Sequence, residues 1–283
     1  MITVVGYALR EAVRRRVFVV VLILTAAFLA LDGLGADRAF QETSGFAAEA
    51  GEVGVDTKTL AGATVFGLAM FAILFLGVIL AAFLTFGVVR GDAERGLLQP
   101  LVVRPLGRPA LLVARFAGAA CTGAVYVAGV YATAMVITGA VGGWWPDRIV
   151  VPGLELAGAV AVLAALSILG SVFLTATANG IAVFMLFGAG LTAGLLGQVG
   201  EAIGSPTLED VARAASWALP FEALYQDALS RITADTGGVT KLAIDLGPFG
   251  GAQPAGIGII LWAVGYTAIA GLIAAYAFSR KDL

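Results

Sequence analysis

Six apolar runs separated by polar stretches set the pattern of the chain: residues 17–34, 61–89, 109–140, 154–175, 181–199 and 255–278. Each is nearly free of charge and suited in length to a hydrocarbon core about 30 Å thick, at about 1.5 Å of rise per residue. They predict six transmembrane helices and an all-α polytopic membrane protein, with 1–283 forming a single transmembrane domain. The second run would be about 43 Å long, so it should tilt or project beyond the bilayer.

The polar stretches carry their own patterns. Ahead of the first run, Val5, Ala8, Leu9, Ala12 and Val13 share one helical face, with Arg10, Glu11, Arg14, Arg15 and Arg16 largely on the other. Residues 2–16 read as an N-terminal interfacial helix before an uncleaved span; the alternative is the basic region of a signal peptide cleaved near Gly35-Ala36. Asp32 opens an acidic loop over 35–60, where Asp37, Glu42, Glu49, Glu52 and Asp56 face only Arg38 and Lys58. Their irregular spacing suits a solvated loop better than a cation site. Trp144 and Trp145 fit an aromatic belt at the end of the third span. A turn at 176–180 makes the fourth and fifth spans antiparallel neighbours. Within the fifth, Gly190, Gly194 and Gly197 form a small-residue stripe, a candidate for helix packing inside one bundle or between two chains. Residues 201–254 are the longest polar segment. Helical patterns over 207–219 and 221–232 predict two short amphipathic helices there, and 233–254 are Gly-rich and irregular.

Composition narrows the function classes. With 60% hydrophobic residues, 13% charged and a mean hydropathy of +0.97, the chain is no ordinary soluble domain. There is no histidine and one cysteine, Cys121, which removes Ser-His and Cys-His catalysis, intrachain disulfides and Cys-based metal sites. No catalytic residue, metal or bound cofactor is expected. Ser167, Ser171, Thr175 and Asn179 make one modest polar stripe, of the kind that bonds to its own helix or a neighbour, so an intramembrane enzyme is a weak reading. Of Lys58, Lys241 and Lys281 none follows a glycine, so the chain has no phosphate-binding loop and any ATPase must be another chain. Ion-coupled carriers bury charges at mid-depth. Here Arg115 falls near the inner end of the third span and Glu155 within two residues of the outer end of the fourth, which speaks against such a carrier.

Charge also sets orientation. Placing 1–16, 90–115, 176–180 and 279–283 in the cytoplasm collects 11 basic residues against four acidic ones, and leaves six basic and 15 acidic residues elsewhere. By the positive-inside rule both termini are then cytoplasmic and 201–254 is an extracellular loop.

The stretch 90–108 concentrates six charges between two apolar runs. Gly91 ends the preceding helix, Asp92 is an N-cap candidate, and 93–99 suit about two helical turns before Pro100 and Pro105. Glu94-Arg-Gly-Leu-Leu-Gln-Pro-Leu101, then Arg104-Pro-Leu-Gly-Arg108 and Leu111-Leu-Val-Ala-Arg115, resembles the signature of type-2 ABC transporter permeases, the exporter-type (ABC-2) membrane subunits. Leu97 stands where many members carry Thr, and Arg115 where many carry Lys. The resemblance implies that 90–108 is a cytoplasmic coupling segment docking on a separate ABC ATPase, with ATP and Mg held by that partner. Asp92, Glu94, Arg95, Gly96, Leu97, Leu98, Pro100, Leu101, Arg104, Pro105 and Arg108 would carry the contact. It further implies a permease domain in the plasma (inner) membrane of a prokaryote, short external helices between spans five and six, and pairing with a second permease copy. A homodimer is the simpler arrangement and a heterodimer the alternative. No nucleic-acid partner is implied. A non-transporting mechanotransmission or anchor subunit would need the same segment, so that reading stays open.

Overall fold

The computed structural model describes residues 16–86, 108–245 and 252–280. Those residues form α1 (Arg16–Gly45), α2 (Ala47–Glu52), α3 (Thr57–Thr85), α4 (Arg108–Gly142), α5 (Val150–Phe173), α6 (Ala176–Ile203), α7 (Pro206–Ala218), α8 (Pro220–Arg231), α9 (Gly238–Asp245) and α10 (Ile257–Ser279). Among them α1, α3, α4, α5, α6 and α10 are long and apolar enough to cross a membrane.

The bundle is organised around α3 and α5. In their most apolar windows 67% of α3 and 61% of α5 is buried, against 17% for each of α1, α6 and α10. Phe66, Met70, Ile73 and Leu74 of α3 are fully enclosed and share one core with Val127 and Tyr131 of α4 and Leu156, Val160 and Leu163 of α5. Where helices meet in lipid, association rests on close van der Waals fit, so small residues sit at the contacts. At Gly77 a Cβ would lie 2.8 Å from Val160 Cγ2, which fixes glycine at the α3–α5 crossing.

The two ends of the bundle are closed differently. At the Trp144 end, Trp144 packs over Gly62 and beside Phe66, with ring centroids 6.2 Å apart, and Phe40 of α1 lies on Gly142. At the Arg108 end, Leu112, Ile168, Val172, Ala274 and Phe278 form a separate buried cluster that ties α4, α5 and α10 together. Thr25 of α1 and Tyr126 of α4 share a hydrogen bond of 2.5 Å between these ends.

The structure changes several sequence expectations. Helix α1 does not stop at residue 34. Asp32, Ala36 and Phe40 recur every four residues and turn one face inward: Asp32 and Ala36 are buried, and Phe40 packs on α4. Asp32 therefore lies inside a helix rather than opening a loop, and α2 adds helix within the acidic stretch. The turn between α5 and α6 shrinks to Leu174 and Thr175, with Thr175 capping α6 through the Ala178 N–H. Glu155 lies five residues inside α5 and is 5% exposed. Trp145 is exposed, as an interfacial tryptophan would be, whereas Trp144 belongs to the core.

The segment 201–254 is more than a loop. Pro206 and Pro220 begin α7 and α8, where the missing N–H costs nothing, and α9 occupies part of the stretch expected to be irregular. Helix α7 lies along α6 with none of its residues fully buried. Helix α8 is the opposite: Phe221, Leu224, Tyr225, Asp227, Ala228 and Leu229 are all enclosed. Phe221 stacks on Phe187 of α6 at 5.8 Å and Tyr225 faces Phe71 of α3 at 6.5 Å, so α8 is wedged into the Trp144 end of the bundle. The interfacial helix expected over 2–16 falls outside the described residues.

Candidate functional site

The segment expected to couple to an ATPase, Asp92, Glu94, Arg95, Gly96, Leu97, Leu98, Pro100, Leu101, Arg104 and Pro105, lies outside the described residues. The structure does give the frame on which it hangs. The preceding span α3 ends at Thr85, and the following one, α4, begins at Arg108. At the α3 end, Thr85 returns its hydroxyl to the Ala81 carbonyl at 2.6 Å. The Asn179 amide donates to the Phe86 carbonyl at 3.3 Å and to the Ser167 carbonyl at 2.7 Å. Helix ends leave carbonyls without intrahelical partners, and one side chain here serves the last turn of α3 from α6 while bonding α5. Ser171 donates to the Ile168 carbonyl at 2.7 Å. Ser171, Thr175 and Asn179 of the polar stripe thus bond backbone, while the buried Ser167 hydroxyl has no hydrogen-bond partner among the described residues, and Asn179 seats the Arg108 end of α3 against α5 and α6. At the α4 side, Leu112 anchors the first turns in the buried cluster with Val172 and Phe278.

The small-residue stripe faces inward. A Cβ at Gly190 would run into the Phe221 ring, one at Gly194 into the Glu222 carboxylate, and one at Gly197 would lie 2.9 Å from Ala212 Cβ. All three glycines therefore admit α7 and α8 of the same chain.

Sequence reasoning missed a buried ion cluster at the Trp144 end. Arg231, the last residue of α8, donates to Asp227 Oδ2 through Nη2 at 2.7 Å and Nε at 2.9 Å. Its Nε also lies 3.0 Å from Glu155 Oε1 of α5. Asp227 is 1% exposed and accepts the Ala255 N–H at 2.9 Å, which fixes the approach to α10. The hydrogen bond to Asp227 raises the Arg231 pKa further, so the guanidinium stays charged. One cation thus holds two buried carboxylates, joining α5 to α8 and, through Ala255, to the chain just before α10. The available signal was Glu155 standing inside an otherwise uncharged span, together with the Asp227–Arg231 spacing of one helical turn.

Residues 2–283 match the profile of the family described as "ABC-2 family transporter protein". No curated protein matches the chain.

Proposed function

The chain belongs to the ABC-2 transporter family, a membrane-spanning permease subunit of an ABC transporter, and we propose that it couples ATP hydrolysis on separate ATPase subunits to outward substrate movement. The observation that carries this reading is the position of α3. It is the most buried of the described spans, and it ends at Thr85, five residues before the 90–108 stretch. A push delivered there reaches α1, α4 and α5 directly, because α3 packs on each of them. The α4 span carries the other end of the stretch into the same core.

In this reading both termini and 90–108 face the cytoplasm of a prokaryotic cell, α7 to α9 face outward, and two permease copies, favoured as a homodimer, surround the path. ATP and Mg sit on the partner and none on this chain. Glu94 and Arg95 pair with charges of the ATPase, Leu97, Leu98 and Leu101 fill its groove, and Gly96 permits the approach. Asp92 caps the short helix, Pro100 and Pro105 end it, and Arg104 and Arg108 border the contact.

The test is purification of the tagged full chain from its native host in mild detergent, followed by vanadate-sensitive ATPase measurement. An ATPase subunit should accompany the wild type and be lost when residues 92–105 are scrambled. Glu94→Arg should separate ATPase activity from transport while membrane insertion persists. Equal recovery and equal coupling in both variants would sink the reading. Nucleotide-driven rearrangement of an external partner without any substrate flux would favour the mechanotransmission subunit instead.

A further inference from the structure

A cavity of about 540 Å³ opens between α6, α7, α8 and the start of α10, at the Trp144 end. Its wall is rich in acceptors. Glu201, Glu209 and Glu222 all line it, with the amides of Gln198 and Gln226. Among the described residues Arg213 is the single basic one on the wall, and its guanidinium is turned to Asp210 at 3.1 Å.

Glu222 is the unusual member. It is 3% exposed, and although its Oε2 accepts the Ser216 hydroxyl at 3.3 Å, its Oε1 meets no donor in hydrogen-bonding geometry. The Gln226 Oε1 beside it is likewise buried without a donor. Buried acceptors of this kind are normally satisfied, and an orphaned carboxylate oxygen costs more than a neutral group. Burial pushes the Glu222 pKa up, with the nearby Gln226 amide, which falls outside hydrogen-bonding geometry, and the Ser216 hydroxyl pulling the other way. Two buried acceptor atoms on adjacent turns of α8 thus lack a donor among the described residues.

The rest of the wall decides which cation. Among the described residues no three acidic side chains converge as metal ligands. Trp217, Ala223, Pro254 and Ile259 add apolar surface, and the Trp217 ring suits an ammonium head or an aromatic body.

We infer that this cavity binds an organic primary ammonium compound with an apolar body, its N–H groups donating to Glu222 and Gln226 and its body lying against Trp217. This assignment stands on the cavity alone and does not rest on ATPase coupling.

The test uses the full chain in lipid nanodiscs, titrated calorimetrically with phenethylammonium, and with the neutral isostere 2-phenylethanol as control. Empty nanodiscs supply the background. Saturable binding is expected for the amine and at least tenfold weaker binding for the alcohol. Glu222→Gln should weaken the amine at least tenfold, and Glu49→Gln, on α2, should leave it unchanged. Should Glu222→Gln fail to fold, Gln226→Leu carries the same test, with a loss of several fold. Absence of saturable binding, equal binding of the alcohol, unchanged binding in both cavity variants, or competition by millimolar calcium as effective as the amine itself would each overturn the assignment.

Discussion

The Trp144 end and the Arg108 end of the bundle bury polar groups by different means. Every buried carboxylate among the described residues, Asp32, Glu155, Glu222 and Asp227, lies in the half toward Trp144. There a guanidinium holds two carboxylates and joins α5 to α8 and to the chain just before α10. Around the end of α3 the buried polar side chains among the described residues are Thr85, Ser167, Ser171 and Asn179, all uncharged. Breaking a buried ion pair by removing one partner costs about 3–5 kcal/mol, whereas a neutral hydrogen bond contributes about 1 kcal/mol. The first end is therefore a lock and the second a set of separable contacts. If motion enters through 90–108, as proposed, the yielding contacts lie beside the input and the rigid ones far from it.

Three single variants and one double variant test that contrast. Arg231→Met leaves Glu155 and Asp227 buried without their cation, so it should lower stability by about 3–5 kcal/mol in detergent-based unfolding. Adding Glu155→Gln to it should recover part of the loss; no recovery would mean that the cluster is not coupled. Asn179→Ala removes the donor to the Phe86 and Ser167 carbonyls and should cost about 1–2 kcal/mol in the same assay. A loss as large as that of Arg231→Met would erase the distinction between the ends. The smallest effect belongs to Arg148→Ala. Arg148 meets Asp235 at 3.0 Å with both side chains more than half exposed, and such surface pairs contribute at most about 1 kcal/mol. A larger loss would show that exposed pairs, too, hold the Trp144 end.

Most of the fold was legible because lipid imposes a simple rule: a span must be long, apolar and helical. The six runs obey it. The extra turns of α1 were also encoded, in the four-residue recurrence of Asp32, Ala36 and Phe40, but charges at Asp37 and Arg38 on the opposite face masked it. Helix α8 was legible as a helix and not as a buried one. Glu222, Asp227 and Arg231 mark it as a surface element until Glu155, on another helix, is seen beside Arg231. Burial of charge depends on pairing in space, which hydropathy along the chain does not record. The glycines of α6 illustrate the same gap: their spacing announced close approach but not that Phe221 and Glu222 of α8 and Ala212 of α7 are what meets them within the chain. The resemblance at 94–115 proposes the coupling residues, and those from Asp92 to Pro105 lie outside the described residues.

The position of α8 also makes its burial conditional on its neighbours. Its 12 residues are too short to cross a bilayer at about 1.5 Å each, and its carboxylates oppose entry into lipid alone. Phe71 of α3 and Phe187 of α6 receive Tyr225 and Phe221, and Arg231 pairs with Glu155 of α5 as well as with its own Asp227. A substitution that closes that slot should therefore expose a charged helix on the face that carries Trp144.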